Sequence, residues 1–146
     1  MSSDIHLPAA MRDEIVAHAR AEAPRECCGV IAGQDGRPIQ LYRLTNLERG
    51  TDLYRIDDTE LYRVYRELDK RGCEILAIYH SHPVSPAYPS RTDVDLAFWS
   101  EAFYLICSLA VPGSPDIRAF RIVDERISEV EIMPKPGRSG VTNDGR

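Results

Sequence analysis

Nowhere does this 146-residue sequence hold the run of roughly 20 apolar residues that a bilayer-spanning helix needs. Its opening, "MSSDIHLPAAMRDEIVAHAR", has no basic flank leading into an apolar segment, so it does not read as a secretion signal. A cytoplasmic protein without membrane association is therefore expected. Positive charge is also scarce. Lys and Arg number 18 against 23 Asp and Glu, a net charge of −5. That balance lacks the basic footprint of a non-specific nucleic-acid binder, and no nucleic-acid partner is expected. The four cysteines contain no C-x-x-C pair, which excludes a zinc ribbon and a thioredoxin-like redox motif. Adjacent Cys27 and Cys28 would point to opposite faces of a strand. With Cys73 and Cys107 they read as reduced, buried apolar side chains.

Apolar residues make up 43% of the chain, enough for one sizeable core. Leu7, Met11, Ile15 and Ala19 recur every four residues and predict a first amphipathic helix, with Pro8 in its first turn and Pro24 just beyond its end. "CCGVIAG" reads as a buried strand, "QDGRP" as a turn and "IQLYRLTN" as a partnered strand. "LYRID" suggests another short strand. Asp58 or Thr59 is expected to cap a helix with Leu61, Val64, Tyr65 and Leu68 on one face and Gly72 as its stop. "CEILAIYHSHP" is the most apolar strand and should be central. "SRTDVDLAFWSEAF" predicts a helix, and "YLICSLAV", "IRAFRIVD" and "RISEVEIM" three later strands. The order gives a mixed α/β layered domain over residues 1–133, without strict β-α-β alternation. From Pro134 the chain has little to bury and reads as a flexible tail, 134–146.

One stretch asks for chemistry. In "IYHSHPVSPAYPSRTDVD", His80 and His82 are two positions apart, so on a strand both imidazoles project from one face. A catalytic zinc takes three protein ligands and keeps a fourth position open, so a third ligand must come from elsewhere. Asp93 and Asp95 follow at the next helix start. Two helical steps turn about 200°, so only one of these acids can face the histidines. Pro83, Pro86 and Pro89 stiffen the connection and reduce the entropy lost on ordering it. Ser90 and Asp93 also have the spacing of a capping box, which by itself would account for both.

The whole string decides between these readings. "HSHP" followed by "PSRTD", with "ECCGVIAG" upstream, resembles the signature of the JAMM (MPN+) zinc metalloproteases: a glutamate, then H-[ST]-H-P, then S-x-x-D. The likeness spans about residues 5 to 133. It implies a cytidine-deaminase-like layered domain with a curved, mixed and largely antiparallel sheet flanked by helices. It further implies that His80, His82 and Asp93 bind Zn²⁺, that Glu26 is the general base, and that Ser90 donates to the oxyanion. The motif spacing selects Asp93 over Asp95.

JAMM proteins cleave peptide or isopeptide bonds after the C-terminal Gly-Gly of ubiquitin-like proteins. The single-domain bacterial type resembles peptidases of β-grasp sulfur carriers, and "YHSH…AYPSRTD" looks most like the group that releases cysteine from such a carrier. A carrier protein is therefore the expected partner, and a homodimer is left open. Either "LTNLERGTDLYRID" or "PVSPAYP" is expected to border the groove for the tail, through Tyr54 or Tyr88. Three other readings stay open: a scaffold of this fold without catalysis, a RadC-like protein linked to DNA repair, and a zinc hydrolase of small amides.

Overall fold

The computed structural model describes residues 4–134. The tail expected from Pro134 therefore lies, but for that residue, outside the described residues. In chain order the elements are β1 (Asp4–His6), α1 (Ala9–Glu22), β2 (Cys28–Gln34), β3 (Arg37–Leu44), α2 (Asp58–Lys70), β4 (Glu74–His82), α3 (Arg91–Asp95), β5 (Phe103–Ser108), β6 (Asp116–Val123) and β7 (Arg126–Met133). They form one seven-stranded sheet in the order β1-β7-β6-β5-β4-β2-β3. Only β1/β7 and β4/β5 pair in parallel; the other neighbours are antiparallel. The mixed, largely antiparallel sheet expected from the sequence is present.

The apolar repeat of α1 buries Ile15 and Ala19 completely. They join Ile5, Leu7, Tyr79, Leu105 and Cys107 in a cluster on one face of the sheet. Pro8 stands one step before the helix, as its N-cap, where its missing N–H leaves no gap. On the other face Cys28, Val30, Ile78, Tyr104, Ile106 and Phe120 form a second cluster, against which Leu61 and Val64 of α2 pack. Cys27 belongs to the first cluster and Cys28 to the second, so the adjacent thiols do face opposite sides. All four cysteines are free.

Several local expectations change. The cap of α2 is Asp57, whose carboxylate accepts from the Thr59 N–H at 2.9 Å and that of Glu60 at 3.4 Å. Asp57 is still extended (φ −66°, ψ 113°) while Asp58 is already helical, which is what an N-cap requires. "LYRID" forms no strand and makes only an isolated bridge, Asn46 to Ile56. The helix after the proline loop stops at Asp95. Val94, Ala97 and Trp99 all pack on the second cluster, and a spacing of three and then two cannot stay on one helical face. The chain turns there instead, with the Trp99 N–H donating to the Tyr104 hydroxyl at 2.9 Å. β1 was not expected; its three residues are too few to carry a period.

The most apolar strand, β4, lies inside the sheet, antiparallel to β2 and parallel to β5. Gly29 of β2 makes this closeness possible. A Cβ there would lie 2.3 Å from the Tyr79 ring and 2.5 Å from the Tyr42 carbonyl oxygen.

Candidate metal centre

Strand alternation sends Tyr79 and Ser81 to one side of β4 and His80 and His82 to the other. The two Nε2 atoms are 3.2 Å apart. Asp93, from the first turn of α3, brings Oδ2 to 3.2 Å from His80 Nε2 and 3.1 Å from His82 Nε2. All three residues are buried. The donor atoms form a nearly equilateral triangle. Donors at tetrahedral angles around zinc, about 2.0–2.1 Å from it, are separated by about 3.3–3.4 Å, so the triangle is close to the right size.

The supporting contacts settle which atoms face the centre. His82 Nδ1 lies 2.7 Å from the Pro86 carbonyl oxygen. It must donate to that oxygen, which leaves Nε2 of the neutral ring as a lone pair. With that ring neutral, a lone pair stands 3.1 Å from a carboxylate oxygen, so the pair calls for a cation between them, a metal ion or a proton on Nε2. A ring proton answers that demand when no ion does. Burial would raise the Asp93 pKa, but hydrogen bonds with His80 and His82 outweigh it and hold the carboxyl far below its usual range. Burial lowers His80. It would lower His82 too, but the Asp93 bond and the Pro86 carbonyl reverse the shift and raise that ring. The residues fit a divalent metal: two imidazoles and one carboxylate, converging, buried, with one ring orientation fixed from behind.

Asp93 is itself held. The Ser90 N–H donates to Asp93 Oδ2 at 2.9 Å, and the Asp93 N–H donates to Ser90 Oγ at 3.1 Å. This reciprocal capping box aims a ligand as well as starting a helix. Ser90 Oγ acts there as acceptor, so its own O–H remains free to donate. Asp95 turns away and pairs with Arg91 at 3.1 Å.

Glu26 precedes β2 and is 4% exposed. Its Oε1 has no hydrogen-bond partner among the described residues. Burial lifts its pKa from 4.5 to about 7, an effect that His82 opposes and Asp93 reinforces. The chain here is stapled to β4 through the residue between the two histidines: the Cys27 N–H donates to Ser81 Oγ at 2.8 Å, and the Ser81 N–H to the Cys27 carbonyl at 3.1 Å.

Some contacts at the site carried no sequence signal. Tyr54, expected only to border a groove, is buried and stacks on His80 with ring centroids 4.2 Å apart and planes at 18°. Ser81 stands in the H-[ST]-H-P motif and Pro86 in the stiff loop, but their hydrogen bonds at the site emerge only from the fold. Beside the triad lies a cavity of about 430 Å³, lined by Glu48, Leu53, Tyr54, Arg55, Ile56, Leu61, Thr92, Leu96, Phe98 and Trp99 among others. The "LTNLERGTDLYRID" stretch supplies one side of it, and no residue of "PVSPAYP" lines it. Tyr88 instead sets its ring edge-on to Phe120, 5.5 Å away.

Fold and site together define a class: a small mixed α/β domain with a candidate metal position and a buried carboxyl near it. The chain belongs to the family of prokaryotic homologs of the JAB domain, which its residues 8–123 match. It is 42% identical over 120 residues to the CysO-cysteine peptidase of Mycobacterium tuberculosis, covering 81% of this chain and 82% of that one. It is 37% identical over 114 residues to the desampylase of Haloferax volcanii, covering 73% and 82%. The solution structure of a Desulfitobacterium hafniense protein superposes with a TM-score of 0.79 at 36% identity, over 88% of this chain and 91% of that one. The family resemblance drawn from "ECCGVIAG", "HSHP" and "PSRTD" holds.

Proposed function

We propose that this protein is a zinc metallopeptidase that hydrolyses the peptide or isopeptide bond after the C-terminal Gly-Gly of a β-grasp, ubiquitin-like sulfur-carrier protein. One observation carries the reading: His80, His82 and Asp93 converge at 3.1–3.2 Å, with the buried Glu26, whose Oε1 has no partner among the described residues, close enough to feel His82 and Asp93. His80, His82 and Asp93 would hold the ion, and two nitrogens with one oxygen suit zinc with an open fourth position. When bound, zinc supplies Lewis acidity, polarising the scissile carbonyl and making a water nucleophilic near neutral pH.

The remaining steps fall to the chain. Glu26 accepts the proton of the attacking water and later returns one to the leaving amine. A carboxyl whose burial raises its pKa to about 7 can do both at neutral pH. Ser90, with its O–H uncommitted by the cap, donates to the carbonyl oxygen as negative charge builds there. A Gly-Gly tail is thin enough to lie extended along the wall formed by residues 53–56, exchanging main-chain hydrogen bonds. Four free cysteines suit a cytoplasmic setting, where thiols stay reduced.

For the leaving group, the 42% identity to a peptidase named for CysO-cysteine favours a single cysteine built on the carrier. A purely structural role fits poorly with a triad that keeps all its ligands, and the acidic net charge disfavours a DNA-repair role.

The test is cleavage by the zinc-loaded protein of β-grasp carriers extended past Gly-Gly by one cysteine, by a longer peptide, or by a lysine-linked protein. Glu26→Gln is the matched control. Cleavage after Gly-Gly that disappears in the control is expected, with the cysteine extension cut fastest. Stoichiometric zinc with no cleavage of any extension would overturn the substrate assignment and leave a small-amide hydrolase. Absence of zinc binding would leave the scaffold.

A further inference from the structure

Asn46 bonds both to the chain that carries Glu26 and to the loop that walls the cavity. Its Nδ2 donates to the Glu26 carbonyl oxygen at 2.9 Å and to the Leu53 carbonyl oxygen at 3.1 Å. Its Oδ1 accepts from the Glu48 N–H at 2.9 Å and the Arg55 N–H at 2.9 Å. Two carbonyls face one end of the amide and two N–H groups face the other, so only one orientation satisfies the set. All four of its strong hydrogen-bonding positions are used, and the residue is 8% exposed. The three loop residues it grips, Glu48, Leu53 and Arg55, are themselves lining residues of the cavity.

The loop has a second clamp that does not touch the Glu26 carbonyl. Arg25 donates through Nη2 to the Asn46 carbonyl oxygen at 2.8 Å and to the Glu48 carbonyl oxygen. The loop's base is closed by the Asn46–Ile56 bridge, the Leu47 N–H to the Arg55 carbonyl at 2.9 Å, and Glu60 accepting from the Thr45 N–H at 2.6 Å. Glu26 has no side-chain bond at Oε1 to fix it. Its position therefore depends on its backbone, and that backbone is held by Ser81 on one side and Asn46 on the other.

We infer that Asn46 is a positioning residue that locks the catalytic base and the substrate-bordering loop into one rigid unit. The inference rests on the role proposed above for Glu26 and the cavity. It predicts that the two halves of the tie separate kinetically. Asn46→Asp keeps an oxygen facing the Glu48 and Arg55 N–H groups but replaces the donor shared by the Glu26 and Leu53 carbonyls with a second oxygen. Arg25→Ala loosens the loop and leaves the Asn46–Glu26 bond in place. Displacing a reacting group by a fraction of an ångström is enough for about a ten-fold loss. Accordingly, Asn46→Asp should lower kcat about ten-fold or more and raise KM as well, whereas Arg25→Ala should raise KM with kcat within about two-fold. Both should keep one zinc per chain, because the ligands sit on β4 and α3.

Amide hydrogen exchange on the full chain gives a readout independent of turnover. Asn46→Ala should speed exchange at Glu48 and Arg55 without changing β5. Unchanged exchange at those amides would overturn the strut, as would an unaltered kcat in Asn46→Asp, equal kcat losses in both variants, or loss of zinc. If the wild-type protein cleaves no carrier, the proposed function fails while the exchange experiment still decides the tie.

Discussion

Glu26 sits where its own charge is unfavourable. Its pKa in the fold is raised from 4.5 to about 7, so the neutral acid is the form that burial tolerates. The stability this residue contributes is therefore complete below about pH 4.5 and is lost as pH rises through about 7, by an amount of about 3 kcal/mol. Glutamine has nearly the same shape and no charge to lose. In zinc-free protein, the stability advantage of Glu26→Gln over wild type should be larger at pH 8 than at pH 5 by up to ~3 kcal/mol, read by urea denaturation at the two pH values. An equal gap at both would mean that the carboxylate is hydrated in the fold. The same residue shows what a sequence can carry at this scale. A glutamate two positions before a C-G pair has a recognisable spacing. Nothing in that spacing reveals a carboxylate 4% exposed, because burial is set by packing that local sequence does not encode. Tyr54 is a sharper case. A loop tyrosine has no period to betray it, and its stacking on His80 exists only once β4 and the 46–56 excursion meet.

At the level of elements, the site depends on how closely β2 approaches β4. Gly29 pairs opposite Tyr79, and an added methyl group would stand 2.3 Å from that ring and 2.5 Å from the Tyr42 carbonyl. Neither neighbour can yield easily. Tyr79 is completely buried and its hydroxyl is bonded to His18 Nδ1 at 2.7 Å, while the carbonyl belongs to the β2–β3 ladder. Gly29→Ala should therefore destabilise the protein by about 3 kcal/mol, the upper range for forcing atoms into a filled core, measured by thermal or urea unfolding. It should also weaken the proposed peptidase activity, since β2 leads directly from Glu26. A loss below ~1 kcal/mol would mean that the strand shifts freely. β4 was legible because an unbroken apolar run, Ile75 to Tyr79, leads into the paired histidines. The short α3 was not. Its cap and acid are local signals, and they were present. Its end is set by Trp99 turning towards Tyr104, a contact with a strand that has yet to form.

Across the whole molecule, the metal position joins parts of the chain that have little else in common. His80 and His82 end a central strand, Asp93 opens a five-residue helix, and Glu26 precedes β2. The sheet order that brings them together depends on pairings such as β1 with β7, far apart in sequence, which is why fold class could be read ahead and strand order could not. The cluster around α1 lies on the opposite face of the sheet from the triad, so the fold has a core that does not need the ion. Zinc should then act as a ligand of an already folded protein, unlike the metal of a zinc finger. A ligand that binds only the native state adds about 4 kcal/mol when its free concentration is 1,000 times its Kd. For a domain of this size that corresponds to a rise in Tm of roughly 10 °C. Chelation should lower Tm by about that amount while leaving the far-ultraviolet circular dichroism unchanged at 25 °C. His80→Ala should abolish the zinc-dependent shift, because the two remaining donors, His82 and Asp93, cannot hold the ion against water. Unfolding on chelation would instead place the metal among the determinants of the fold, and a shift that survives His80→Ala would move the zinc site elsewhere.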